Sequence, residues 1–338
     1  MSNRSDRIRW GIAGLGRIAH KFVNDLRLVA EADILAAGSR DVDRARSFAE
    51  HYGIDRAYGS YDNLLRDPDV DIVYVATPHD SHAELSVRAL DAGKHVLCEK
   101  PLALNRHQAA DMVAASERNE RFLMEAFWSR FNPCIDEVLG LVRDGEIGEV
   151  KYVAADFSFR VEVTPGSRML DMERGGGSLL DMGVYPVFLA YSVLGTPTGV
   201  IASAIFDESG ADLQTSMTLE YDDAMAVLYS SFVSQSNMAA TISGTEGRIT
   251  LNPIWHETDS YTVRRSRDDD GMTTRQPRTG KGFYHEIVEC HRCIGVDRLE
   301  SDRWSHRDSL NVMNIVDDVR RAIGLRYPAE LAGEQAAK

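Results

Sequence analysis

The stretch Arg7-Ile-Arg-Trp-Gly-Ile-Ala13, followed at once by Gly14-Leu-Gly-Arg-Ile-Ala19, decides the fold. The first seven residues read as a strand. The next six form G-x-G-x-x-A, and a helical pattern runs on through Phe22, Leu26 and Val29. In strand–loop–helix context the glycines let the backbone approach a pyrophosphate, whose charge sits on the helix N-terminus. Gly14, Leu15, Gly16, Arg17 and Ile18 are therefore cofactor-binding candidates, and Ala19 in the third position allows close helix–strand packing.

Working outward, Ala32 to Gly38 is a second strand, and its end reads Ser39-Arg40-Asp41. An acid is expected there when the ribose 2′-hydroxyl is bound, and arginine suits a 2′-phosphate, which it can bond bidentately. Ser39 holds the expected acid position and Arg40 follows, so NADP is favoured. NAD stays open, because Asp41 serves as the acid if the register moves by two. Val70 to Ala76 is a buried strand, and Thr77, Pro78, His79 and His82 at its carboxyl end should line the cofactor crevice. For His82, anchoring the start of the next helix is an equal reading. The run Lys94 to Cys98 is another buried strand, closed by Glu99-Lys100-Pro101. Ligands of such sheets lie outside the carboxyl strand ends, which puts Glu99 and Lys100 beside the cofactor. Burial can lower an ammonium pKa enough to make it an acid–base group. A helix, Arg106 to Arg118, and a strand, Phe122 to Phe127, complete a doubly wound parallel α/β sheet, a Rossmann domain over residues 1–126.

From residue 127 to 338 the pattern changes to an α+β domain. A helix over Cys134 to Asp144 precedes seven strand-like segments between Glu149 and Arg265, with turns at Tyr221-Asp-Asp-Ala224 and Gly244-Thr-Glu-Gly247. They predict a large, open, mostly antiparallel sheet, one face on helices and one face free for self-association into a homodimer or homotetramer. Ser266 to Gln276 reads as a polar loop, two helices follow (Gly282 to Ile294 and Ser305 to Ile323), and residues from Pro328 onward read as a frayed tail. Within this half, Gly175-Gly-Gly177 leads into a helix with Asp181 and Tyr185 at i and i+4, on one face. They are expected to converge with Lys100 on one substrate; the alternative is a first-turn acid favouring the helix dipole.

The chain has 338 residues, more than one ordinary core. Its 43% hydrophobic and 27% charged content is that of a globular protein, and a net charge of −14 with no basic stripe argues against nucleic acid and anionic membranes. No apolar segment resembling a signal peptide follows Met1 to Arg7, so a cytoplasmic protein is expected. Cys290 and Cys293 have metal-ligand spacing, but no second pair exists, so no metal is expected.

On the Gly14 to Ala19 loop, Glu99-Lys100-Pro101, Gly175-Gly-Gly177 and Asp181-x-Gly183-x-Tyr185, the chain resembles the glucose–fructose oxidoreductase / inositol dehydrogenase (Gfo/Idh/MocA) family over nearly its whole length. Tyr185 in place of histidine, and Met124 to Phe131, are similar to the dimeric dihydrodiol dehydrogenase and NADP-dependent D-xylose dehydrogenase branch. The resemblance implies hydride transfer between nicotinamide and a hydroxyl-bearing carbon of a sugar, related polyol or dihydrodiol. It implies Lys100 and Tyr185 as the acid–base pair, with either one carrying the proton, and Asp181 bonding a second hydroxyl or Lys100. It implies Trp128 and Arg130 flanking the nicotinamide, with domain packing the other reading for Trp128, and a Lys100–Pro101 bond that is often cis. An NAD-linked inositol dehydrogenase and a non-catalytic dinucleotide-binding regulator are the rival readings.

Overall fold

The computed structural model describes residues 7–162, 166–267, 269–328 and 330. The chain forms two compact units, one of Met1–Phe131 with Thr279–Leu310, the other of Asn132–Arg278 with Asn311–Lys338.

In the first unit six strands lie in one parallel sheet: β1 (Ile8–Ala13), β2 (Ala32–Gly38), β3 (Arg56–Tyr58), β4 (Ile72–Val75), β5 (His95–Glu99) and β6 (Leu123–Ala126). Their order is β3-β2-β1-β4-β5-β6, so the winding reverses between β1 and β4, where such sheets bind ligands. Ile12, Val73, Val75, Val96 and Leu97 are fully buried, as expected of strands covered on both faces. The three-residue β3 lacks an apolar run and was not expected from sequence. Its Arg56 and Tyr58 side chains both bond the buried Asp67, so polar contacts hold this edge. The helix Phe283–Ile294 also belongs to this unit. Its first amides are held by the Asp25 carboxylate, which accepts from Lys281 (2.8 Å), Phe283 (2.9 Å) and Tyr284 (3.3 Å). These bonds satisfy donors that a helix start leaves open.

The second unit is built on eight strands: β7 (Val150–Ser158), β8 (Gly199–Phe206), β9 (Asp212–Glu220), β10 (Met225–Ser231), β11 (Ala240–Gly244), β12 (Arg248–Leu251), β13 (Ser260–Arg264) and β14 (Met272–Arg275). They run in the order β14-β13-β12-β11-β7-β10-β9-β8, with β7–β10 parallel and the other pairs antiparallel. Strand β14 corrects the expected polar loop. Met272-Thr-Thr-Arg275 carries no buried apolar residue, and its pairing shows as a hydroxyl contact, Thr262 to Thr273 at 2.9 Å. Residue 268 of that expected loop, and the expected tail beyond Glu330, lie outside the described residues.

One sheet face packs on the helix Val184–Leu194, through residues such as Val153, Met217 and Leu228. That helix and the turns before it, Met172–Leu194, are apolar and long enough to cross a membrane by composition, but 72% of the stretch is buried within the protein. It is a core helix. The opposite face presents Tyr152, Ile201, Ile205, Met225 and Val227, with Ile201 60% and Ile205 56% exposed. Threonines and serines stand between them: Ser203, Ser216, Thr218, Thr241 and Thr250 share the register of this face.

Candidate active site

In the first unit the predicted cofactor residues gather at the carboxyl ends of β1, β2, β4 and β5. Gly14 has φ +93, and a Cβ there would stand 2.6 Å from the Ala76 carbonyl oxygen and 2.8 Å from the Thr77 amide. Only glycine fits this approach of the β1 loop to the end of β4. Gly16 faces open space, and the helix Arg17–Leu26 that follows has no side-chain cap. An uncapped helix start behind a Gly-rich loop is an anion site in waiting. Leu15 is buried, Arg17 is exposed and Ile18 is half-buried. The Thr77 hydroxyl is buried and has no hydrogen-bond partner. These features fit the pyrophosphate of a dinucleotide.

At the end of β2 the Ser39 hydroxyl accepts from the Asp41 amide at 3.1 Å. The Asp41 carboxylate accepts from the amides of Asp43 (2.9 Å) and Arg44 (3.2 Å), so it is committed to capping the helix Val42–Tyr52. Arg40 is exposed at the same edge. Arg44 joins it, its guanidinium donating to the Leu15 carbonyl at 2.7 Å. Sequence reasoning missed Arg44; its only signal was a second arginine one turn beyond Arg40.

Pro78 is half-withdrawn from solvent behind β4 and His79 is buried, its ring 5.6 Å from that of His82. His82 is fully buried, with Nδ1 2.9 Å from the Pro101 carbonyl and Nε2 2.9 Å from the Thr77 carbonyl. It ties the end of β4 to the Lys100–Pro101 turn, where the peptide bond is cis. Lys100 stands half-buried in that turn. Glu99 accepts from the buried Tyr74 hydroxyl, so its side chain serves the core beneath the turn. Trp128 is buried and stacks on Phe283, with centroids 5.1 Å apart, and Arg130 Nε donates to the Arg303 carbonyl at 2.8 Å.

In the second unit the first turn after the glycines, Leu179–Gly183, is a π-turn, and the α-helix begins at Val184. The expected i, i+4 face of an ordinary α-helix is therefore altered, and such turns recur at functional sites. Asp181 is not a buried acid: its carboxylate is 23% exposed and pairs with Arg168 at 3.3 Å. Tyr185 is buried, its ring 5.2 Å from Phe157 and 5.3 Å from His256, which stack on each other at 4.0 Å.

The region before this helix is fixed by a residue sequence reasoning missed. Asp212 is fully buried, and its Oδ2 accepts from Ser178 Oγ, the Leu179 amide and Thr215 Oγ1, each at 2.8 Å. Its Oδ1 lies where a Cβ on Gly177 would come within 2.1 Å, which with φ +124 makes glycine obligatory there. The Tyr327 hydroxyl donates to the Gly176 carbonyl at 3.1 Å. Burial pushes the Asp212 carboxyl up to about 6, against the pull of these donors.

The oxidoreductase family with an NAD-binding Rossmann fold, GFO_IDH_MocA, matches residues 8–127, and the GFO/IDH/MocA C-terminal domain matches residues 135–250. The chain is 35% identical over 329 residues to a trans-1,2-dihydrobenzene-1,2-diol dehydrogenase from Xenopus tropicalis, covering 95% of this chain and 99% of that one.

The chain belongs to the GFO/IDH/MocA family of oxidoreductases.

Among solved structures, an aldose–aldose oxidoreductase from Caulobacter crescentus, in complex with glycerol, superposes with a TM-score of 0.86 at 28% identity, covering 94% of this chain and 97% of that one. A 3-ketoreductase from Actinomadura kijaniata, in complex with NADP and TDP-benzene, superposes at 0.84 with 30% identity, covering 94% and 98%. As a GFO/IDH/MocA oxidoreductase the protein has its Gly-rich loop, Ser39-Arg40 edge and Lys100 turn in one unit, and Asp181 and Tyr185 in the other.

Proposed function

We propose that this protein is an NADP-dependent dehydrogenase acting on a hydroxyl-bearing carbon of a sugar, polyol or vicinal dihydrodiol. The observation that carries the reading is the edge of β2: Ser39 and the exposed Arg40 stand where a ribose-binding acid is expected, Asp41 Oδ1 caps the helix that follows, and Arg44 reaches the Leu15 carbonyl of the Gly-rich loop. Two guanidiniums and a serine hydroxyl match a 2′-phosphate. Bound nicotinamide supplies or accepts the hydride. Gly14, Leu15, Gly16, Arg17 and Ile18 would hold the pyrophosphate, with Thr77 donating from its unpartnered hydroxyl.

Lys100 and Tyr185 are the acid–base pair of the reading, one holding the reacting oxygen and the other moving its proton. Asp181, held by Arg168, orients a second hydroxyl. Pro78, His79, Trp128 and Arg130 shape the nicotinamide edge. Support comes from the 3-ketoreductase relative, which was solved with NADP both with a lysine replaced by alanine and with a tyrosine replaced by phenylalanine. The substrate class follows from relatives named for a dihydrodiol and for aldoses. The exposed apolar and hydroxyl face of the large sheet suits a second copy of this chain, giving a homodimer or homotetramer. Four buried, unpaired cysteines suit a reducing, cytoplasmic compartment.

The test is a panel of aldoses, inositols and dihydrodiols, each with NADP and with NAD, read as absorbance of the reduced nicotinamide. Turnover with NADP on at least one sugar or diol is expected. Binding of NADP without turnover on any of them overturns the reading in favour of a regulator, and a clear preference for NAD overturns the cofactor. Sedimentation of wild type against Ile201→Asp/Val227→Asp tests the sheet face, and an unchanged mass refutes it.

A further inference from the structure

Beneath the Lys100 turn lies a buried acid to which the reading above gives no role. Glu125 sits on β6, in register with Cys98 on β5, and is 2% exposed. Its Oε1 accepts from the Leu102 amide at 2.9 Å, and its Oε2 accepts from the Trp304 indole at 3.2 Å. The Ser309 hydroxyl also bonds it. A carboxylate is rarely taken into a dry core without recompense. Here three donors converge on one, and one of the three is the backbone amide two residues beyond Lys100.

We propose that Glu125 is a positioning residue for Lys100: one oxygen fixes the Leu102 amide and with it the turn that presents the Lys100 side chain. The inference rests on the reading of Lys100 as an acid–base group. Two consequences follow from the geometry. With the Leu102 amide tied to β6 and the Pro101 carbonyl tied to His82, the turn is held from both sides. A lysine held in this way approaches a substrate oxygen in one pose, which is what proton transfer requires. Second, loss of the Glu125 acceptor frees the Leu102 amide and leaves the turn held on one side only. Glu125 is itself pushed up to about 7, first by burial, with Ser309, Trp304, the Leu102 amide and Lys100 pulling the other way. It also acts on the Cys98 thiol on the neighbouring strand, which burial holds protonated. The Glu125 protonation state therefore changes near neutral pH, where such a dehydrogenase would work.

The experiment pairs Glu125→Ala, which takes the acceptor away from the Leu102 amide, with Glu125→Gln, which keeps one. Lys100 is read directly, by the rate of its acetylation with trace acetic anhydride at one pH, followed by mass spectrometry. In Glu125→Ala the Lys100 labelling rate should change by at least about threefold and kcat should fall by about tenfold, while the NADP Kd stays within about threefold, since no nucleotide contact is touched. Glu125→Gln should restore the labelling rate and most of kcat. A wild-type labelling rate in Glu125→Ala overturns the proposal, whatever happens to turnover, and so does an equal change in both variants. Should Glu125→Ala fail to fold, Trp304→Phe removes another anchor of the carboxylate. It should change the Lys100 rate in the same direction by less, and an unchanged rate there overturns the proposal too. The labelling needs no substrate, so a wild type inactive on the whole sugar and diol panel would fail the functional reading without touching this one.

Discussion

The Lys100 turn and the Asp181–Tyr185 helix are both held by a buried carboxylate, and they differ in what that carboxylate grips. Glu125 takes the Leu102 amide, the Trp304 indole and the Ser309 hydroxyl, beside the end of a strand already locked between two neighbours. Asp212 takes an amide and two hydroxyls, and with Tyr327 it defines a glycine-rich segment that has no sheet pairing of its own. The first acid refines a position that the parallel sheet has already set. The second ties a segment outside the sheet, whose glycine amides bond only to the turns just before it, to strand β9. A site built on a strand end therefore tolerates loss of its acid better than one built on a glycine-rich lead-in.

The comparison can be broken in order of effect size. Lys100→Met and Tyr185→Phe should each lower kcat by at least ~100-fold with NADP binding kept, in line with the worth of acid–base groups. Steady-state kinetics and a nucleotide titration check it, and retained activity in either variant removes that residue from the pair. Next, Asp212→Ala strands the Leu179 amide and two hydroxyls and should cost about 2–3 kcal/mol of stability together with most of the activity. Asp212→Asn, which keeps an acceptor, should cost under ~1 kcal/mol. Urea denaturation separates them, and equal losses would mean that the clamp is not what matters.

Third comes pH. Asp212 is raised to about 6 and Glu125 to about 7 in the native protein, both by burial. A raised carboxyl favours the native state in its protonated form. That contribution is full below the ordinary carboxyl pKa and is lost as pH rises through about 6 and about 7 respectively. Relative to wild type, Asp212→Asn and Glu125→Gln should each gain of order 1–3 kcal/mol between pH 4 and pH 8. Denaturation curves at the two pH values measure the difference, and parallel behaviour of variant and wild type refutes the assignment. Last and smallest, Arg40→Ala and Arg44→Ala should each weaken NADP by about tenfold, the scale of one charge-assisted phosphate contact, and leave NAD unchanged. Equal weakening of both nucleotides would mean that the arginines serve the helix or adenine instead.

Much of this site was legible in the sequence where short-range order carries it. β1, the Gly14 loop and β5 with its Glu-Lys-Pro end are apolar runs closed by residues of special conformation. Their pattern is local, so the strand ends and the Lys100 position follow from it. Arg44 was missed because a charged residue in a first helical turn looks solvated until the Leu15 carbonyl is seen beside it. Asp212 and Glu125 were missed because each is one acid at a strand position, with nothing near it in sequence to mark it as buried. Asp212 finds Ser178 34 residues away and Glu125 finds Trp304 179 residues away. Strands β3 and β14 escaped for a related reason, since they are short backbone ladders at the sheet edges and bury no apolar stripe.

What the sequence determined by itself is the doubly wound sheet, the mostly antiparallel second sheet, the Gly-rich loop after β1 and the strand end that carries Lys100. Each is written in the period of apolar residues or in glycines that no other residue replaces. Only the tertiary structure decided that Asp41 caps a helix, that Asp181 is paired with Arg168 and partly exposed, that the helix under Tyr185 begins with a π-turn, and that buried acids hold both the Lys100 turn and the glycine segment. Those outcomes depend on which donor meets which acceptor across long sequence separations. A free energy of a few kcal/mol settles each one, and no local pattern encodes it.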